Sequence, residues 1–174
     1  MTLSLDTAFT AAGLQMLESL SGILRKAEAH CAEQGLPAEL LTDARLAPDM
    51  WPFANQVCQT AHHTQGAVAG VHAGVFSPRL DPAPLDFASL HDILAQAIAA
   101  LRAIPPGELD AMAARDMRFE SGNFRLDFTV EDFLLSFSVP NLFFHTATAY
   151  AILRNRGVNI GKRDYIGELR LKTS

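Results

Sequence analysis

Apolar residues in this chain recur mostly three and four positions apart, the spacing that gathers side chains on one face of an α-helix. From Ser4 to Gly35 the row Phe9, Gly13, Met16, Leu17, Leu20, Ile23, Leu24, Ala27 and Cys31 predicts a first long helix. Gly35-Leu36-Pro37 stops it, and Pro37 opens a short helix that Ala47-Pro48 interrupts. A second long helix, rich in Ala and Gly, is predicted over 52–76. One inner row carries Val57, Ala61, Thr64, Val68, Val71 and Val75, and its neighbour Ala54, Cys58, His62, Gln65, Ala69 and His72. Three prolines make 77–86 a loop, and an Asp86 cap then starts a third helix over 86–104 that Pro105-Pro106-Gly107 ends. Over 115–128 the period falls to two, with Met117 and Phe119 before the Ser121-Gly122-Asn123 turn and Phe124, Leu126 and Phe128 after it. A lone hairpin is marginal in water, so this one needs helices or a second subunit over its apolar face.

The fourth helix, 130–156, is written at both ends. Thr129 with Asp132 three residues later resembles a capping box, and Gly157-Val158 has the form of a left-handed C-cap with its apolar contact. Between them Phe133, Leu134, Leu135, Phe137, Val139, Leu142, Phe143, Phe144, Ile152 and Leu153 point in nearly every direction, so the helix is central or shared with a second copy. Against that apolar cylinder Ser138, Asn141, His145 and Thr148 form one polar seam at i, i+3, i+7 and i+10. Pro140 has no N–H for the Ser136 carbonyl, so a kink is expected where the seam begins. The remaining segment, 158–174, reads as an extended arm with Tyr165 and Ile166 as anchors.

With 174 residues, 49% of them hydrophobic, the chain supports one core and a single domain over 1–174. Its net charge of −5 comes from scattered residues with no Lys/Arg stripe to neutralise phosphates, which argues against a nucleic-acid partner. No run approaches the roughly 20 apolar residues that cross a bilayer, and the start lacks a basic signal pattern, so no membrane and a cytoplasmic setting are expected. Cys31 and Cys58 stand alone, without CxxC spacing, and read as buried thiols.

Candidate chemistry gathers near His145. A neutral imidazole serves near pH 7 as metal ligand, general base or hydrogen-bonding group, and the competing reading is a core histidine satisfied by Asn141 and Thr148. Asp49 either caps the second helix or projects into a pocket mouth under Trp51, the only tryptophan. His62 and His63 are adjacent and diverge around the helix, so only one can meet His145. The row Ala54-Cys58-Gln65 selects His62, and a third metal ligand would have to be Asp49, Asn141 or His72. Nucleotide phosphate loops, the GxSxG elbow and HExxH are absent.

Two motifs carry a resemblance. Ala47-Pro48-Asp49-Met50-x-Pro52 precedes Pro140-Asn141-x-x-x-His145, which runs on through Thr148-Ala149-Tyr150-Ala151-Ile152-Leu153-Arg154-x-x-Gly157-Val158-x-x-Gly161-Lys162-Arg163-Asp164. Together they resemble an uncharacterised bacterial family among the DinB-like (DinB/YfiT-like) four-helix bundles. The resemblance implies an all-α fold, a DinB-like four-helix bundle with a small β-hairpin before the last helix, and a homodimer. It also implies a relation to metal-dependent hydrolases or thiol-dependent transferases, with a divalent metal such as Zn, Ni or Mn at His62 and His145 and a small-molecule pocket drawing on Asp49, Trp51, Asn141, His145 and Tyr150. The chain departs from the group's pattern where the fourth helix would carry H-x-x-x-H: position 149 is alanine and position 141 asparagine. The alternative expectation is a non-catalytic dimeric binding or structural protein whose polar seam is satisfied internally.

Overall fold

The computed structural model describes residues 4–172. Helix α1 spans Leu5–Gln34; the Ser4 hydroxyl accepts from the Thr7 amide at its start, and Gly35 closes it in the left-handed conformation. Its expected apolar row is buried throughout. A short α2, Glu39–Thr42, leads into the second long helical stretch, which runs as α3 (Phe53–Ala61), a π-helical turn (His62–Gly66) and α4 (Ala67–Ala73). Asp49 does not cap α3; Pro52 stands at the N-cap without a side-chain bond.

The helix expected to reach residue 76 ends three residues earlier. Gly74 turns the chain with φ 72°, and Val75–Phe76 becomes strand β1. A Cβ at Gly70 would stand 3.1 Å from both the Val75 carbonyl and the Phe76 Cβ, so a larger residue would push the strand a few tenths of an ångström off its own helix. Strand β1 pairs parallel with β2 (Asp116–Ser121), and β2 pairs antiparallel with β3 (Phe124–Thr129), giving a three-stranded sheet of order β1-β2-β3. The expected hairpin is therefore present and has acquired a third strand from a segment read as helix.

Helix α5 (Phe87–Arg102) starts at Asp86, whose carboxylate accepts from the Ser89 amide at 2.7 Å. A five-residue helix absent from the sequence reading, α6 (Glu108–Met112), follows Gly107. It exchanges caps with α1: Asp6 accepts from the Gly107 and Leu109 amides, and Asp110 accepts from the Leu5 amide at 2.7 Å. The last long helix begins as α7 (Val130–Asp132) under the Thr129 cap, passes through a second π turn (Phe133–Ser138) and continues as α8 (Val139–Asn155). The expected disturbance at Pro140 takes the form of that wide turn, so the proline ring falls in the first turn of α8 where the ladder is already broken. Beyond Gly157, with φ 84°, the arm holds a short α9 (Lys162–Ile166). Its carbonyls at Asp164 and Tyr165 accept from Ser19 and that of Ile166 from Gln15, so the expected anchors are held through their backbone against α1.

Helix α1 packs on α5 and α8, and α3 packs on α8 and α5, around a core that includes Leu17, Leu24, Phe53, Leu90, Leu94 and Leu153. A second core, with Phe9, Phe76, Leu109, Met117 and Phe133, joins the sheet to the helix ends. Cys31 and Cys58 are both free and buried. Among the described residues no helix is long and apolar enough to cross a membrane.

Candidate functional site

Three flat side chains form a line from solvent to core. Trp51, in the turn between α2 and α3, is 44% exposed, and its ring lies nearly parallel to that of His145 at 18° and 6.1 Å between centroids. On the inner side the His63 ring is parallel to His145 at 15° and 5.6 Å. His63 in turn touches Phe76 at 5.4 Å and Phe137 at 5.8 Å, where the two π turns meet the aromatic core. Each π turn thus contributes one ring to the same contact, in keeping with the frequency of such turns beside functional sites.

Gln56 decides the state of His145. Its amide nitrogen donates to the Trp51 carbonyl at 3.0 Å, and because that carbonyl only accepts, the Gln56 Oε1 must face the ring of His145, 2.7 Å from Nδ1. His145 therefore donates from Nδ1 and keeps Nε2 as its acceptor. Burial, with a smaller contribution from the charge of His62, holds its pKa down to about 4, so the ring is neutral at pH 7. His63 is pushed further, to about 3, by burial first and then by His145 and His62. The Nδ1 of His63 and the Oγ of Ser138 are buried without a hydrogen-bond partner among the described residues.

The cleft beside these rings has a volume of about 230 Å³ and is lined by Asp49, Met50, Trp51, Gln56, Phe144 and His145. Three of the expected site residues, Asp49, Trp51 and His145, are brought together here. Asn141 is not; its amide donates to the Phe137 carbonyl at 2.8 Å and closes the ladder around the second π turn. Tyr150 also lies elsewhere, packed on Tyr165 at 5.9 Å.

The pairing of His62 with His145 requires correction. His62 turns to the Ser77 carbonyl at 2.8 Å and stacks on Phe76, in a separate cleft of about 310 Å³ with Cys58, Gln65, Arg79 and residues of α5. Helix α3 is buried on two sides, one row on α5 and the other on α8, and periodicity alone does not say which neighbour each row meets. The row facing α8 is Gln56, Thr60 and His63, at i, i+4 and i+7. That polar row matches the polar seam on the fourth helix, a likeness present in the sequence that does not by itself say which row meets which neighbour.

A divalent metal of the expected kind takes three or more protein ligands. His145 offers one nitrogen; His63 lies face to face with it, Asn141 is engaged with the backbone and position 149 is alanine. Among the described residues no three His, Cys, Asp or Glu side chains converge on one point, so this donor set does not fit such an ion.

A family model described as Domain of unknown function (DUF1993) matches residues 7–166. The chain is also similar to a crystal structure of a DinB family member protein from Shewanella denitrificans, at 28% sequence identity and a TM-score of 0.80, over 98% of this chain and 96% of that one. No curated protein matches it.

Proposed function

Because the chain belongs to the family described as Domain of unknown function (DUF1993), within the DinB-like superfamily, its role has to be argued from its own side chains, and we propose that the cleft at Asp49, Trp51 and His145 binds a small molecule. The observation that carries this reading is the Gln56 bond, which orients His145 before any ligand arrives and reserves Nε2 as a neutral acceptor on a cleft wall. Binding is favoured over proton abstraction. An imidazole held near pKa 4 is unprotonated at pH 7 but a weak base, far from the value near the working pH that general-base catalysis uses. The hydrolase or transferase chemistry of the wider group would need a ligand that raises that basicity.

The competing reading, a purely structural polar network, is supported by the way Gln56 satisfies both Trp51 and His145. It leaves unexplained two large aromatic rings, Trp51 and Phe144, held half-open to water. A homodimer is part of the proposal too: Leu135 and Phe143 are exposed on the last long helix, and light scattering at micromolar concentration is expected to return twice the chain mass.

The pocket is tested by a fragment screen using ligand-observed NMR on wild type and His145→Gln. Saturable hits that weaken at least fivefold in the variant, with unchanged circular dichroism, support it. Hits indifferent to position 145, or none at all, refute it.

A further inference from the structure

Resting on that pocket, the walls also indicate the class of ligand. Among the described residues lining the cleft, Asp49 is the one carboxylate and none is Lys or Arg, and His145 is neutral at pH 7. The ring of Trp51 lies at 18° to His145 and that of Phe144 at 80° to it, 5.2 Å away, so indole and phenyl planes stand steeply to one another and form a corner. Both side chains are partly open to solvent, Trp51 at 44% and Phe144 at 57%, with one side of the indole set against His145 and the rest left to a ligand.

The corner is also braced. Gln56 holds the Trp51 carbonyl, the Met50 amide donates to Ala47 at 3.0 Å, and the Phe53 amide donates to Ala44 at 2.8 Å. Electron-rich faces meeting at an angle, a carboxylate at the rim and a neutral acceptor on the wall are the parts that recognise a positively charged carbon-rich group. An anion would meet Asp49 and find no cation, and a purely apolar ligand would leave the carboxylate and the His145 acceptor without a partner. We propose that the cleft binds a compact organic ammonium ion, with the ammonium seated in the Trp51–Phe144 corner and facing Asp49. A protonated amine would in addition donate an N–H to His145, which a quaternary ammonium has no proton to do.

The test uses the full chain and calorimetric titration at constant ionic strength with four probes: choline, its uncharged carbon analogue 3,3-dimethyl-1-butanol, protonated N,N-dimethylethanolamine, and acetate. Choline is expected to bind about tenfold more tightly than the carbon analogue, a factor typical of a cation on aromatic faces. Asp49→Asn and Trp51→Leu are each expected to weaken choline at least fivefold, while Trp51→Phe restores most of it. Tighter binding of dimethylethanolamine than choline, lost in His145→Gln, assigns the protonated amine; the reverse order assigns the quaternary ion. The carbon analogue or acetate binding as well as choline would overturn the cation assignment and leave the pocket standing. If all four probes fail while the fragment hits of the NMR screen still depend on His145, the assignment again falls and the pocket survives; loss of both removes the pocket.

Discussion

Acidification from pH 7 to pH 5 should destabilise this protein through two buried histidines, and the size of the effect follows from the structure. His145 is 7% exposed and neutral with a pKa of about 4, whereas the same ring in the unfolded chain titrates near its ordinary 6.5. Between those values unfolding takes up a proton, so the stability that the neutral ring contributes is complete above pH 6.5 and declines as pH falls toward 4. By linkage, His145 accounts for a loss of about 2 kcal/mol between pH 7 and pH 5, and His63, held near 3, for roughly as much again. Asp86, held below the usual carboxylate range by the Ser89 amide, and Asp164, held there by Lys26, titrate below this window and do not contribute within it. The assay is urea unfolding followed by far-ultraviolet circular dichroism at half-unit steps of pH, on wild type and His145→Gln. The variant should lose about 2 kcal/mol less than wild type over the window, because contributions common to both cancel in the difference. Parallel stability profiles for the two proteins would refute the placement of His145 as a buried neutral ring.

Gln56→Leu should cost about 1–3 kcal/mol for each of the two polar groups it strands, the Trp51 carbonyl and the His145 Nδ1–H, and long-range nitrogen NMR of the ring should show the fixed Nδ1–H tautomer of wild type giving way to a mixture. Titration of Zn²⁺, Ni²⁺ and Mn²⁺ into the purified protein should give no stoichiometric binding, since no three-ligand set converges among the described residues; a one-to-one isotherm abolished by His145→Ala would overturn that conclusion. Asp6→Ala removes the side chain that accepts from Gly107 and Leu109 at the start of α6, and the urea midpoint should fall by the equivalent of about 1–2 kcal/mol; no change would mean that those amides are equally well served by water.

The helix ends were legible because capping is local chemistry. Ser4, Gly35, Asp86, Thr129 and Gly157 act on backbone groups within a few residues, and each stands where its residue type and neighbours place it. The apolar row of α1 and the inward seam with Ser138, His145 and Thr148 follow from periodicity because one stripe is buried in each; the hairpin follows from its two-residue alternation and its turn, with Met117 buried but Phe124 and Leu126 left exposed. The conversion of Val75–Phe76 from helix to strand was not legible, because it depends on a parallel pairing with Arg118 and Phe119 far along the chain and on the close approach that Gly70 permits. Nor was the choice of His63 over His62. Both rows of α3 carry buried residues, and only the relative placement of α5 and α8 determines that one imidazole meets the Ser77 carbonyl and the other the ring of His145. The amino-acid sequence by itself settles most of the surfaces that must be hidden and the helix ends that carry a local cap, for those depend on neighbours in the chain. Which hidden surfaces face one another, and hence that Gln56 orients His145 beneath Trp51, is decided by long-range packing, where the free energies of alternative partners are close and only the assembled core selects among them.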